Sequence, residues 1–197
     1  MVAKRLTMKA QLTRSSLVVA AAAILRSEGP SAVTYRHVAE QAKAASSSVG
    51  YYFDSIDDLL REAGEFNMRL WAQRAEKAAT EAEALKPEEA HEHLVELLLR
   101  ACLPDDLVVP PAHYEQLIKA AQSSIVITAY RQGRDRLDAA INRILSHAGV
   151  DANPRLIVAV VDGAAVMGIS EGYPVRETAR TLLAEALSAT ESKGVHA

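Results

Sequence analysis

The chain has 197 residues, of which 49% are hydrophobic and only 5% aromatic, and its net charge is −3. That length suits one small domain plus one larger domain, and the hydrophobic fraction is sufficient for a sizeable core. Abundant alanine and few aromatic residues favour helices over sheets. The slightly negative total excludes a chain that is basic throughout and binds nucleic acid by charge alone.

The charge is unevenly distributed along the chain. Residues 1–50 carry seven Lys or Arg residues and two acidic ones, a net charge of +5, which leaves −8 for the remainder. A basic head on an acidic body is typical of a modular DNA-binding protein. Residues 1–12 are predicted to form a basic arm. In that arm Lys4, Arg5 and Lys9 either stay solvated or contact phosphate or the minor groove.

Several other classes of protein are disfavoured by the residues present. Cys102 is the only cysteine, so we expect a reduced thiol in a cytoplasmic protein, with a redox sensor as the alternative. His91 and His93 are two residues apart and point to different sides of a helix, so no metal site is expected. The most apolar run, 156–169, contains Asp162 and is too short to span a membrane. The basic start lacks the apolar core of a signal peptide.

A pair of short helices is predicted near the N-terminus, after a first helix over 13–28 that Thr13 or Ser15 would cap. Thr34 would cap the helix over 35–42, residues 43–45 have the length of a helix-turn-helix turn, and a second helix would end near residue 53. The serines and tyrosines of the second helix would face outward. Hydroxyl groups so placed suit hydrogen bonds to base edges and phosphates. A serine-rich loop followed by a core aromatic cluster is the alternative.

Further helices are predicted along the rest of the chain from helical spacing and stop signals. Ser55 would cap a long fourth helix, and Pro154 would open the eighth. The run 156–169 is apolar on nearly all sides, which predicts burial on nearly all sides and, with the last helix, a dimer interface. The predicted ranges are 55–85, 87–101, 112–122, 125–147, a helix from 154, and 175–189, with a loop over 103–111.

The stretch 32–60, AVTYRHVAEQAKAASSSVGYYFDSIDDLL, resembles the N-terminal DNA-binding domain of the TetR (tetracycline repressor) family of bacterial regulators. Four positions depart from the family pattern. Lys43 stands where a glycine is common, and a positive φ at a lysine would cost roughly 1 kcal/mol. Ala45 occupies the usual serine cap, so Ser46 would cap instead. Gly50 and Ile56 replace a tyrosine and a phosphate-binding lysine. The matching positions are Thr34, Val38, Ala39, Ala42, Val49, Tyr52, Phe53, Ser55, Leu59 and Leu60.

The resemblance implies an all-α fold with two domains. An N-terminal three-helix helix-turn-helix domain would span 13–55 after the arm 1–12. A larger helical effector-binding and dimerisation domain would span 56–190, with a frayed tail over 191–197. The second helix of the motif would enter the major groove of double-stranded DNA. The residues expected to contact DNA are Thr34, Tyr35, Arg36, Lys43, Ser46, Ser47, Ser48, Tyr51 and Tyr52.

The resemblance also implies a small-molecule pocket and a twofold dimer. Candidate ligand residues are apolar or aromatic, which favours a small hydrophobic effector; they are Phe66, Leu70, Trp71, Leu98, Cys102, Tyr114, Leu117, Ile118 and Tyr130. Candidate dimer residues lie on the last two helices; they are Val160, Gly163, Ala164, Met167, Leu183 and Leu187.

The sequence therefore predicts a homodimeric transcription regulator, a repressor released from a palindromic operator by its effector. No nucleophile elbow, phosphate-binding glycine loop or zinc-protease motif is present, so neither an enzyme nor a cofactor is expected. A helical protein-binding adaptor that has lost DNA binding is the first alternative. An all-helical enzyme is the second.

Overall fold

The computed structural model describes residues 7–103 and 110–194. These residues form ten α-helices and one short 3-10 helix, Pro30–Ala32, with no β-strand among them. The all-α prediction is confirmed. The helices are α1 (Met8–Ser27), α2 (Tyr35–Gln41), α3 (Ser46–Tyr52), α4 (Ile56–Glu83), α5 (Pro87–Glu92), α6 (Leu94–Cys102), α7 (Pro110–Ala120), α8 (Ser124–His147), α9 (Pro154–Glu171) and α10 (Val175–Gly194).

The predicted start of the first helix is wrong by more than one turn. Helix α1 begins at Met8, and its cap is Thr7, whose hydroxyl accepts the Ala10 N–H at 3.3 Å. The residues after Thr7 are strong helix formers, so the helix extends back to the first residue able to cap it. Lys9 therefore lies in the first turn of α1 rather than in an arm. Lys4 and Arg5 lie outside the described residues.

Two later boundaries also differ from the predicted ones. The helix predicted over 87–101 is divided at His93, whose φ of −99° and ψ of 8° end α5 before α6 begins. Because the apolar periodicity continues through this break, spacing alone does not reveal it. Helix α10 continues to Gly194, beyond the helix end predicted at residue 189. The apolar loop residues Leu107, Val108 and Val109 lie outside the described residues.

The described residues up to Met68, together with Ala112–Gln132, form the first of two compact units. Its core contains residues from α1 to α4, and Ala120 and Val126 at the α7–α8 turn belong to the same core. Arg14 forms an ion pair with Glu62, and its guanidinium lies 4.8 Å from the centre of the Phe53 ring. These contacts hold α1, the end of α3 and α4 together.

The second unit comprises Arg69–Pro111 and Gly133–Ala197 as far as they are described. Helices α9 and α10 pack closely against each other and against α6. Arg180 donates to Glu96 across 2.6 Å, and this hydrogen bond holds the pKa of the Glu96 carboxyl below its usual range. Arg136 donates to Glu76 at 2.8 Å, which ties α8 to α4 within this unit.

The functional boundaries predicted at residues 12, 55 and 190 stay predictions. No helix in the described part of the chain is both long and apolar enough to cross a membrane. The described residues also contain no group of three or more His, Cys, Asp or Glu side chains arranged to hold a metal ion.

Candidate nucleic-acid interface

The turn between α2 and α3 is a helix-ending motif closed by two backbone hydrogen bonds. Ala44 N–H donates to Ala39 C=O at 2.8 Å, and Lys43 N–H donates to Glu40 C=O at 3.1 Å. This is the Schellman pattern, in which the first of the two donors, the residue just after the helix cap, adopts a left-handed conformation. Lys43 has a φ of 53°, so this lysine occupies the left-handed conformation in which a glycine is common. A left-handed lysine costs roughly 1 kcal/mol relative to glycine.

We therefore expect Lys43→Gly to raise the free energy of unfolding by about 1 kcal/mol, because glycine adopts the left-handed turn without strain. Lys43→Ala is the matched control, since it removes the same charge but keeps a Cβ. Urea unfolding of the full chain measures both variants. If Lys43→Ala raised the free energy of unfolding as much as Lys43→Gly, the destabilisation by Lys43 would come from charge repulsion rather than from backbone strain.

Helix α3 begins without a side-chain cap. Ala45 occupies the cap position with φ −72° and ψ 141°, and Ser46 is already the first helical residue. The prediction that Ser46 caps the helix is therefore wrong. The Schellman turn fixes where α2 ends, and this leaves Ala45 rather than Ser46 at the cap. The Ser46 hydroxyl is consequently not committed to capping, which leaves it available to a partner.

One face of α3 is buried and the opposite face is exposed. Val49 and Phe53 lie in the core of the first unit, as the sequence predicts. Ser46 and Ser47 are exposed, Ser48 is half-buried, and the Tyr51 side chain is 70% exposed. A short helix that presents small hydroxyls and one phenol to solvent has the width and the donors and acceptors that a major groove accommodates.

Two tyrosines of the predicted site are partly used by the fold. Tyr35 is half-buried, and its hydroxyl donates to Phe53 C=O at 3.4 Å, which braces the start of α2 against the end of α3. Tyr52 packs against the core, and its ring meets Tyr51 edge-on with 5.0 Å between the ring centres. A Cβ added at Gly50 would lie 3.8 Å from the Tyr35 ring, an ordinary van der Waals contact, so an alanine would fit there.

The remaining predicted contacts lie at the surface near α2. The Thr34 hydroxyl accepts the His37 N–H at 3.2 Å, which confirms Thr34 as the cap and leaves the hydroxyl hydrogen to donate elsewhere. Arg36 and Lys43 are both exposed. Arg14 and Arg26 are instead bonded to Glu62 and Asn67. Among the described residues up to 50, the exposed basic surface therefore depends on Lys9, Arg36 and Lys43.

The sequence prediction missed a buried polar cluster in the first unit. Asn67 on α4 is fully buried, donates to Ala22 C=O at 3.3 Å, and accepts a hydrogen bond from Arg26. Burial raises the pKa of the Tyr130 phenol, and a hydrogen bond with Asn67 opposes that rise. The signal was present, since Asn67 follows Ala63 by four residues on the buried stripe of α4. Helices α1, α4 and α8 thus meet at one amide.

The candidate ligand residues fall into two groups. Phe66 and Tyr130 pack against the core of the first unit, Tyr114 on α7 is buried, and Leu117 is half-buried. Ile118 also belongs to this unit, but its side chain is 75% exposed. In the second unit, Leu98 is fully buried, Trp71 is half-buried, and Leu70 is exposed.

Cys102 also belongs to the second unit. Burial raises the pKa of the Cys102 thiol to about 12, and the Asp162 carboxylate adds to the rise. Such a shift disfavours the reactive thiolate form, so it lends no support to the redox-sensor alternative.

The candidate dimer residues divide by burial within a single chain. Ala164, Leu183 and Leu187 are buried and face the chain's own core. Val160 is half-buried, Gly163 is exposed with open space around its Cβ position, and Met167 is 45% exposed. Leu156 and Val166 are also exposed, so α9 presents an apolar stripe along one side. The predicted burial of this helix on nearly all sides therefore depends on a partner chain and stays a prediction.

Residues 17–63 match the family model described as bacterial regulatory proteins, tetR family. This match identifies residues 17–63 as a DNA-binding domain of the TetR type. No curated protein sequence matches the chain significantly.

Solved structures of similar fold cover most of the chain. A TetR transcription regulator from Haloarcula marismortui has 21% identity, covers 91% of this chain and 98% of its own, and has a TM-score of 0.67. A transcriptional regulator from Saccharomonospora viridis in complex with choline has 19% identity and a TM-score of 0.63, and the match covers 87% of this chain and 94% of that regulator. The multidrug binding protein EbrR complexed with ethidium has 24% identity and a TM-score of 0.58, and the match covers 88% of this chain and 96% of EbrR. At these identities the likeness shows a shared fold, and the TetR assignment rests on the matched domain.

Proposed function

We propose that this TetR-family protein is a homodimeric repressor that reads a palindromic operator with α3. The observation that carries the proposal is the two-sided character of α3, whose Val49 anchors it in the core while Ser46, Ser47 and Tyr51 face solvent. Recognition by a rigid helix in the major groove supplies sequence specificity. The protein would act in the cytoplasm and have no catalytic role.

The proposed contacts divide into base reading and phosphate binding. Ser46, Ser47 and Ser48 would approach base edges, with Tyr51 shared between a base and the backbone. Phosphate contacts hold the helix in register without reading sequence. The residues proposed for phosphate contact are Thr34, Tyr35, Arg36, Lys43 and Tyr52.

The dimer would form through the exposed side of α9. Leu156, Val166 and Met167 project from that side, and Gly163 would allow a second helix to approach closely. A groove lined in part by Met167, Tyr173 and Leu182 continues the apolar surface toward α10. A twofold axis through this face would pair the same residues of both chains across the interface. The two DNA-binding domains would then be related by the same twofold symmetry as the half-sites of a palindrome.

The effector would be a small hydrophobic or aromatic molecule. EbrR binds ethidium and proflavin in related structures, and the candidate ligand residues here are largely apolar or aromatic. Release from DNA requires the effector to bind the DNA-incompetent conformation more tightly than the competent one. Proposed lining residues are Phe66, Leu70, Trp71, Leu98, Cys102, Tyr114, Leu117 and Tyr130.

Two substitutions in α3 test the proposed register. Ser47→Ala is expected to change base preference at one position of each half-site, because it removes a hydroxyl that faces the bases. Tyr52→Phe is the counterpart: it keeps the packed ring, loses one phosphate bond, and should weaken binding to all sequences alike. Selection of each variant against a random DNA pool measures both effects. An unchanged base preference for Ser47→Ala would reject this register.

A further inference from the structure

Gln116 on α7 is a buried amide whose hydrogen bonds are unmet. Its side chain is 1% exposed, and neither the amide nitrogen nor the amide oxygen has a hydrogen-bond partner among the described residues. Buried polar groups are almost always paired, because an unpaired one forfeits its hydrogen bonds to water. The Gln116 amide can therefore bind a partner that offers one hydrogen-bond acceptor to its nitrogen and one donor to its oxygen.

The neighbouring positions on α7 describe the surroundings of this amide. His113, Lys119 and Ala120 lie about one turn from Gln116 on the same side of the helix, at spacings of three, three and four residues. Lys119 is the permanent cation among them, and its ammonium forms an ion pair with Glu115 at 2.7 Å. An ionic ligand group would have to compete with that ion pair, whereas a neutral group pairs with an amide at no cost in buried charge.

The last turn of α7 contacts the DNA-binding part of the first unit directly. Ala120 and Val126 belong to the same core as Val38 and Val49. Lys119 lies against Gly29, where an added Cβ would meet the lysine Cδ at 3.1 Å. Gly29 has a φ of 93°, so this junction accepts no larger residue without strain. A shift of Gln116 would therefore move side chains packed against the helix-turn-helix core.

We propose that Gln116 hydrogen-bonds the effector, and that the effector is a mainly apolar molecule carrying one neutral group with both a donor and an acceptor, such as a carboxamide. The inference rests on the proposed function, since it concerns the ligand of the same regulator. Binding at Gln116 moves α7, and the contacts of Lys119 and Ala120 pass the movement to the helix-turn-helix core.

The test compares wild-type protein with Gln116→Leu, using 2-naphthamide, 2-naphthoic acid and 2-methylnaphthalene, which share one ring system. Wild-type protein should bind 2-naphthamide more tightly than the other two probes. Gln116→Leu should bind 2-naphthamide about tenfold more weakly, the usual effect of losing a buried hydrogen-bonding group. Affinity for 2-methylnaphthalene should change less than twofold. Calorimetric titration measures all three.

Thermal unfolding gives a second readout that needs no probe. Without ligand, Gln116→Leu should melt at or above the wild-type temperature, because it removes two unmet polar groups from the core. Exposed Gln122→Leu on the same unit is the matched control, and it should leave both melting and 2-naphthamide affinity unchanged.

Three results would overturn the proposal. A clear fall in melting temperature for Gln116→Leu would show that the amide has protein partners. Equal 2-naphthamide affinity in both proteins would show that a buried water completes the amide. Failure of the wild type to bind 2-naphthamide would reject the stated ligand class. Operator binding is measured separately on the same samples, so its failure would count against the repressor proposal while leaving the Gln116 comparison valid.

Discussion

Charge reversal by Arg36→Glu combined with Lys43→Glu is expected to lower DNA affinity by about 100-fold at low salt, for every DNA sequence alike. Both side chains are exposed next to α3. Arg14 and Arg26, by contrast, are bonded to Glu62 and Asn67, so Arg36 and Lys43 are the cations near α3 best placed to contact phosphates. Each cation that binds a phosphate releases a counterion, and the proposed dimer carries four of these side chains, so the log–log salt slope should also fall by about four. Fluorescence anisotropy at several salt concentrations measures both quantities.

Lys77→Glu combined with Arg131→Glu is the matched control for this loss. Both residues are exposed and lie outside the helix-turn-helix, and the pair changes the net charge by the same amount. The control variant should lower DNA affinity only slightly, because its charges act on the DNA only through the long-range electrostatic potential of the protein. If control and test variants lost affinity equally, total charge rather than local phosphate contact would explain binding, and the assigned DNA face would be wrong.

Met167→Glu is expected to raise the dimer dissociation constant on the order of 1000-fold. Met167 is exposed in a single chain, so the substitution should not disturb the fold of the monomer. Twofold symmetry would place two carboxylates in the same apolar interface, and each would be buried without a partner. Sedimentation velocity measures the change. Affinity for a palindrome should fall with it, because a monomer engages one half-site only.

Ile118→Glu is the control for the dimer prediction. Ile118 is the more exposed of the two side chains, at 75%, but it lies on α7. This variant should remain dimeric, and circular dichroism should show both variants to be as helical as the wild type. A dimer that survives Met167→Glu would place the interface on another surface.

Local signals in the sequence predicted the helix-turn-helix well. The Thr34 and Ser55 caps, the short turn between α2 and α3, and the inward Val49 and Phe53 are all present. Each depends on residues within about five positions of one another, where capping, turn geometry and helical spacing decide the conformation. The family pattern added that Lys43 stands at a position where glycine is common.

The errors occurred where local rules compete or where the tertiary fold decides. Thr7 and Thr13 are both able to cap α1, and helix propensity favours the longer helix. Apolar spacing continues through His93, so the break between α5 and α6 has no local signature. Asn67 and Gln116 stand in otherwise apolar stripes, which marks them as unusual, but only the packed structure shows that both are buried. Their roles depend on neighbours distant in sequence, which a single sequence does not identify.

The most direct test of sequence-specific recognition is selection of DNA from a random pool by the wild-type protein, followed by anisotropy titration of the enriched sequence across salt concentrations. We expect a palindrome with half-site centres about one helical turn, or a little more, apart, and affinity that falls steeply with salt. A pool that stays random, with only weak binding that varies little with sequence, would contradict the account. The chain would then be better explained as a helical adaptor.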